Sequence, residues 1–289
     1  MLTQTQIDQF WRDGVLTVPN AVTSAQLNAL NAEIAGWVEE SCAHSEPFGP
    51  PTLDDRPRFD MGAEHTADKP ALRRVNNPSD ISDAYMDAMS NAAMTDMVNQ
   101  LIGPNLKFHH CKINLKLPGS DTTVHYHQDF LFTPHTNDDV VTALLMLDDV
   151  TEENGCLRVV PGSHRGPMLS LYQDGRFVGA VSGAEEVRLL SESIPVTGKA
   201  GSACLMHTRL AHGSAPNGSD RSRNLYICVY SAADAFPIAR NPMANPNEGM
   251  ILRGEKTRTA RLSEAMIELP EQPRSASFFT VQGQESAEA

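Results

Sequence analysis

Cysteines, basic clusters and long apolar runs are all scarce in this chain, and each scarcity removes a class of protein. The five cysteines, Cys42, Cys111, Cys156, Cys204 and Cys228, are odd in number, lie far apart and form no CxxC pair. That predicts free, mostly buried thiols in a reducing compartment. No stretch of about 18 apolar residues occurs, so no membrane span is expected. The start, Met1-Leu2-Thr3-Gln4-Thr5, lacks a basic segment followed by an apolar one, and the expectation is a cytoplasmic protein. Lys and Arg number 23 against 36 Asp and Glu, a formal charge of -13, which argues against a nucleic-acid partner. GxSxG, GxGxxG and GxxxxGK[ST] are missing too, which removes the common hydrolase and nucleotide readings.

What is there suits one domain with insertions, residues 1–289, with 40% hydrophobic residues to build a core. Residues 1–105 read as mainly helical. Thr3 or Thr5 can cap a first helix carrying Ile7, Phe10 and Trp11 and ending at Gly14. A second helix starts at Thr23, with Gln26 at capping-box spacing and Leu27, Leu30, Ile34 and Val38 as its stripe. Residues 45–70 lose periodicity around Pro47, Pro50, Pro51, Pro57 and Pro70 and read as a long surface loop. One helix is predicted from Ile81 to Leu101. Residues 106–232 then read as β: Cys111 to Leu117 alternates apolar and polar, and strands follow at Val140–Leu147, Cys156–Val160, Ala203–His207 and Leu225–Tyr230. Many short strands divided by turn residues predict a sandwich or double-sheet jelly roll, mainly β with flanking helices. Residues 233–289 read as a loop-rich tail.

The densest chemistry is His125-Tyr126-His127-Gln128-Asp129. His127 and Asp129 are two apart, so on an extended strand they point the same way and can grip one metal ion. A lone HxD is a common accident, and a lone histidine is more often a hydrogen-bonded structural residue. His212, after a β run and before Gly213-Ser214-Ala215-Pro216-Asn217-Gly218, is the best third ligand. Two histidines and one carboxylate leave three corners of an octahedron open, which suits iron(II) binding a chelating cosubstrate together with O2. Arg223 follows a turn built on Asn217 to Asp220, and a hairpin there would bring it back beside His212. By alternation it shares a face with Leu225, Ile227 and Val229 and points into the barrel. A buried arginine needs a carboxylate, and the distal carboxylate of 2-oxoglutarate would serve. Bland readings stand beside these. His125 with His127 also fits a cupin-like HxH pair, but Phe130 and Leu131 stand where such a site wants Glu, so His125 reads as pocket lining or structural. His207 is second choice for distal ligand, with packing near the site its main reading. His109, His110 and His164 read as ordinary surface or hydrogen-bonded residues, and Arg221 as a solvated turn residue.

In order along the chain, Asp13-Gly14, Arg74-Val75-Asn76, Gly103-Pro104-Asn105, Lys116-Leu117-Pro118, His127-Gln128-Asp129, Asn154-Gly155-Cys156-Leu157, Pro161-Gly162-Ser163-His164-Arg165-Gly166, His212-Gly213-Ser214, Asn217 and Arg223 resemble the phytanoyl-CoA dioxygenase family. The resemblance covers most of the chain. It implies a double-stranded β-helix, iron(II) on His127, Asp129 and His212, 2-oxoglutarate anchored by Arg223 with Ser214 in support, and a basic residue at Arg74 approaching the cosubstrate. It further implies oxidation of a small molecule by O2 with release of succinate and CO2. Halogenating relatives have a small residue in place of the carboxylate, so Asp129 implies hydroxylation or a related oxidation. Substrate choice is expected in the loops 45–70, 131–139, 166–192 and the tail, with at least one of them mobile. The rival readings are a non-catalytic jelly-roll binder and a cupin-like metalloenzyme without 2-oxoglutarate.

Overall fold

A computed structural model describes residues 1–263 and Gln282. Its first two helices begin where the capping residues stand. Thr3 and Gln6 form a capping box at the start of α1 (Gln4–Asp13), which ends at Gly14 in the left-handed region, φ 79°. A Cβ on Gly14 would also lie 2.4 Å from the His164 ring, so backbone and space both require glycine. β1 (Val15–Val18) leads to α2 (Ser24–Ser41), opened by the Thr23–Gln26 capping box and burying Leu30, Ile34 and Trp37. Trp11, placed on the apolar face of α1 by its spacing, is instead 37% exposed. The single helix expected over 81–101 is two, α3 (Asp83–Asn91) and α4 (Ala93–Ile102), divided at Ala92 with extended backbone. The break has a polar cause. The carbonyls of Tyr85 and Met89 accept from the hydroxyls of Tyr226 and Tyr230, and Thr95 also donates to Met89.

The remaining elements are β2 (Phe59–Met61), β3 (Leu72–Asn76), β4 (Leu106–Lys116), β5 (Val124–His127), β6 (Val140–Met146), β7 (Leu157–Val159), β8 (Tyr172–Gln173), β9 (Arg176–Phe177), α5 (Gly183–Glu192), β10 (Ile194–Val196), β11 (Ala203–His207), β12 (His212–Ser214), β13 (Arg223–Ala232) and β14 (Ile251–Arg253). The large antiparallel sheet runs β1-β11-β6-β13-β4-β3-β2, with β14 also on β4, and the small sheet runs β10-β7-β12-β5. Facing each other, they make the double-stranded β-helix. β8 and β9 form a separate ribbon.

Alternation assigns the two faces of the large sheet. Ile113, Leu115, Ala143, Leu145, Tyr226, Cys228 and Tyr230 pack in one core with α1 to α4, while Leu144, Met146, Leu225 and Ile227 pack against Leu157, Val159 and Val196 of the small sheet. The polar residues of β4, namely Lys112, Asn114 and Lys116, therefore look between the sheets rather than into solvent. Cys111, Cys156, Cys204 and Cys228 are buried, Cys42 is partly so, and all five thiols are free.

Within residues 45–70, contacts at Phe48, Arg58 and Phe59 tie the segment to the sheet. Phe48 and Phe59 bridge through their backbones and stack at 4.7 Å, and Phe59 pairs with Val75. Arg58, buried, meets Asp80 at 3.1 Å and donates to the carbonyls of Asn76 and Asn77. Among its described residues the tail holds one strand, β14, on β4; residues 264–281 and 283–289 lie outside the described ones. Among the described residues no helix is long and apolar enough to cross a membrane.

Candidate active site

His127 ends β5 and His212 begins β12, and the two are direct partners across these strands. Their rings lie 4.3 Å apart between centroids. Asp129 opens a short 3-10 turn just past β5, held in place by the residue between: the buried amide of Gln128 donates to the Arg209 carbonyl at 2.6 Å and accepts from the Leu169 N–H at 2.8 Å. One carboxylate oxygen of Asp129 lies 3.4 Å from His127 Nε2 and 3.6 Å from His212 Nε2. Ligand atoms of the three residues all fall within 4.8 Å of one another.

The surroundings prepare these groups for a cation. His127 Nδ1 is 2.7 Å from the His125 carbonyl and His212 Nδ1 is 2.9 Å from the Leu210 carbonyl. Each Nδ1–H donates there, which turns the lone pair of Nε2 toward Asp129. The Thr142 hydroxyl donates to the other Asp129 oxygen at 2.8 Å. Burial, aided by the neighbouring His127, pushes His212 down to about 4, so its imidazole is neutral near pH 7. Burial alone would raise the Asp129 carboxyl, but His212, the His127 hydrogen bond and Lys112 outweigh it and hold Asp129 below the usual carboxylate range. Two imidazoles and one carboxylate, with octahedral corners left over, fit iron(II).

A narrow inner pocket of about 50 Å³ is lined by all three residues and by Ser214, Lys116 and Arg223. Arg223 is buried, and its Nε and Nη2 donate to the Gly155 carbonyl at 3.1 and 2.8 Å. Burial pushes its guanidinium down to about 10, still charged near pH 7. Among the described residues no carboxylate forms a salt bridge with it, so an acidic ligand would complete its surroundings. The hairpin expected around residues 217–220 is absent. β12 and β13 lie in opposite sheets, so Arg223 faces His212 across the sandwich instead of beside it, because a jelly-roll turn at this point crosses between sheets. Arg223, Leu225 and Ile227 share the pocket wall, as alternation along the strand requires.

Lys116, paired in register with Arg223, donates from Nζ to Ser214 Oγ at 2.8 Å and to the Ala215 carbonyl. Burial and the adjacent Arg223 push its ammonium down to about 6. An outer cavity of about 470 Å³ adjoins the inner pocket, and Asp129, Arg74 and Lys112 line both. Arg74 Nε donates to Asn114 Oδ1 at 3.0 Å.

Other sequence candidates fall elsewhere. His125 is partly exposed and meets Glu186 at 3.2 Å. His207 packs on Phe10, Trp11 and His164, away from the ligand cluster. His109, His110 and His164 are buried rather than surface residues: His109 and His110 share a 2.6 Å contact between Nδ1 atoms, and His110 lines the outer cavity. Thr142, Lys112 and Gln128 escaped the sequence reading; for Lys112 the even-position parity of β4 was the available signal.

The phytanoyl-CoA dioxygenase (PhyH) family model matches residues 10–225. The chain belongs to the phytanoyl-CoA dioxygenase family. Within it, the chain is 35% identical over 203 residues, 69% of this chain and 71% of the other, to a protein of Stutzerimonas stutzeri named probable alpha-ketoglutarate-dependent hypophosphite dioxygenase. It is 27% identical over 260 residues to the ectoine dioxygenase of Nocardia farcinica, covering 83% and 81% of the two chains. The fold matches EctD from S. alaskensis in its apoform with TM-score 0.67 at 20% identity over 89% and 88% of the chains, and its iron-bound form with TM-score 0.64. This family member is an iron(II)- and 2-oxoglutarate-dependent dioxygenase.

Proposed function

We propose that this dioxygenase holds iron(II) on His127, Asp129 and His212 and the distal carboxylate of 2-oxoglutarate on Arg223, and that it oxidises a small molecule in the outer cavity. The observation carrying this is the convergence of the three ligand atoms within 4.8 Å, each oriented by a separate hydrogen bond, in a pocket that also contains buried Arg223. When bound, iron(II) with 2-oxoglutarate supplies the oxidising power for O2 chemistry, with succinate and CO2 released.

The residues themselves position and exclude. The carbonyls of His125 and Leu210 fix both imidazoles, so ligation needs no reorganisation. Arg223, clamped on the Gly155 carbonyl, offers a preorganised fork to a carboxylate. Ser214 accepts from Lys116 and can turn its own proton toward the same carboxylate. Arg74, at the junction of the two pockets, adds positive charge on the side away from Arg223. Leu144, Leu157, Leu225 and Ile227 keep the inner pocket dry.

Relatives named for hypophosphite, L-proline, ectoine and 2-aminoethylphosphonate support a small polar substrate, and the phytanoyl-CoA dioxygenases among the relatives support an acyl-CoA thioester as the second reading. We also read residues 1–289 as one oxygenase domain working in the cytoplasm without nucleic-acid or membrane partners. Anaerobic addition of Fe(II) and 2-oxoglutarate tests the assignment. The chelate should give a weak visible charge-transfer band, and its absence with both added in excess would contradict the reading.

A further inference from the structure

Neighbouring residues of a strand point to opposite faces, yet the side chains of His109 and His110 touch. A β-bulge explains the contact. Where β4 pairs with β13, Val229 stands opposite His110 and Tyr230 opposite Phe108, which leaves His109 as an extra residue. Phe108 and Cys111, three positions apart, therefore both enter the core shared with the helices, and His109 and His110 are both turned to the other side. The carbonyl of the extra residue accepts from the Asn245 side chain at 2.9 Å.

The bulge fixes where the protons of these rings sit. Burial, then the neighbouring His110, holds His109 well below its ordinary value, and burial, then Lys112, pushes His110 down to about 3. Both rings are thus neutral near pH 7, with one N–H each. Their Nδ1 atoms lie 2.6 Å apart, so one ring donates to the other. The surroundings of His109 decide which. Its Nε2 is 3.6 Å from a carboxylate oxygen of Glu248, too long for a hydrogen bond but near enough for the negative charge to favour an N–H over a lone pair. His135, its ring centre 4.9 Å from that of His109, donates its Nδ1–H to the Thr133 carbonyl at 2.7 Å and keeps a lone pair on Nε2. Lys107, a cation on the same strand, is occupied with the Ala233 carbonyl and the Phe236 ring. His109 therefore carries its proton on Nε2 and accepts at Nδ1 from His110. That leaves a lone pair on His110 Nε2.

His110 is only 4% exposed, and it lines the 470 Å³ cavity that also reaches Asp129. Among the described residues no hydrogen bond reaches its Nε2. A buried acceptor without a partner is costly, and one on the wall of a substrate cavity finds its partner in the ligand. Resting on the substrate cavity proposed above, we infer that His110 determines specificity, its Nε2 accepting from an O–H or N–H group of the substrate. Glu248, acting through His109, is a positioning residue that keeps His110 an acceptor.

Two measurements test this. Nitrogen NMR of the metal-free protein with isotope-labelled histidine, near pH 7, reads the protonated nitrogen of each ring. His110 should be protonated at Nδ1 and His109 at Nε2, and Glu248→Lys, which sets a cation beside His109 Nε2, should reverse that pattern. Calorimetry on the anaerobic enzyme loaded with Fe(II) and 2-oxoglutarate then compares 2-propanol, isopropylammonium and acetone, three probes of one shape. One of the two donors should bind about three- to tenfold more tightly than acetone, the tighter one identifying the group as O–H or N–H. His110→Leu should erase the preference, and His110→Gln, which returns an acceptor, should keep it. A wild-type His110 protonated at Nε2, a pattern unmoved by Glu248→Lys, or acetone binding as tightly as both donors would overturn the inference. So would a preference that survives His110→Leu or is lost equally in both His110 variants. The wild-type measurements decide even where His110→Leu fails to fold. Absence of the chelate band would sink the iron and 2-oxoglutarate reading separately, because the NMR pattern is read without metal.

Discussion

The inner pocket and the outer cavity meet at Asp129 but are built differently. Around the inner pocket, functional side chains stand on strands of both sheets, and main-chain carbonyls orient His127, His212 and Arg223. The outer cavity takes much of its wall from inserted segments: Glu46 to Met61 before the jelly roll, Phe132 and Thr133 after β5, and Pro242 and Met243 beyond β13. Chemistry that must not vary sits on backbone geometry, whereas the part that recognises a substrate sits on segments free to change length and sequence. Within the first of these segments, the Arg58–Asp80 pair and the Phe48–Phe59 stack supply fixed contacts.

Substitutions in either region separate the two. The largest effect is expected from Asp129→Ala, which removes a ligand outright. Iron(II) affinity measured by anaerobic calorimetry should fall by roughly 100-fold or more, beyond the 10–100-fold typical of outer partners of metal ligands. Arg58→Ala strikes the outer wall by leaving Asp80 buried without its partner. Urea unfolding should register a loss of about 3–5 kcal/mol, while the variant, kept cold enough to stay folded, retains its chelate band. Survival of full stability would mean that residues 45–70 are not anchored as described. Next comes Arg223→Lys, which keeps the charge but loses the fork. The 2-oxoglutarate concentration giving half of the band should rise about tenfold or more, with iron(II) binding unaltered.

The smallest effect concerns pH. Lys116 has a folded pKa of about 6 against an ordinary 10.5. Between those values the unfolded chain binds a proton there that the folded chain lacks, so this group makes stability rise with pH across that window. Lys116→Met removes that slope. Its stability relative to wild type should be more favourable at about pH 7 than at about pH 9.5 in paired urea titrations. A difference independent of pH would show that Lys116 is not held neutral by burial.

Much of this was legible in the sequence, for local reasons. Capping boxes at Thr3 and Thr23 and the period-two run of β4 depend on near neighbours, so they could be read directly. His127 and Asp129 were legible because two-residue spacing sets direction on a strand. Long-range partners were not. Tyr226 and Tyr230 divide α3 from α4 from 141 residues away, which no helical periodicity reports. The turn before Arg223 resembles a hairpin locally and becomes a crossing between sheets only because β4 and β6 take β13. Alternation on β4 shows which residues share a face but not that the small sheet covers the polar one, so the placement of Lys112 and the pairing of Lys116 with Ser214 depend on the distant strands.

The central claim is that the His127, Asp129 and His212 cluster and Arg223 hold one iron–cosubstrate unit between the sheets. An anaerobic crystal structure with Fe(II) and 2-oxoglutarate, phased near the iron edge, tests it directly. The account predicts an anomalous peak at roughly 2.0–2.2 Å from Nε2 of both histidines and one Asp129 oxygen, with the far carboxylate of 2-oxoglutarate on the Arg223 fork. An iron peak on His125 or outside the cluster, or that carboxylate seated on Lys112 and Arg74, would contradict it.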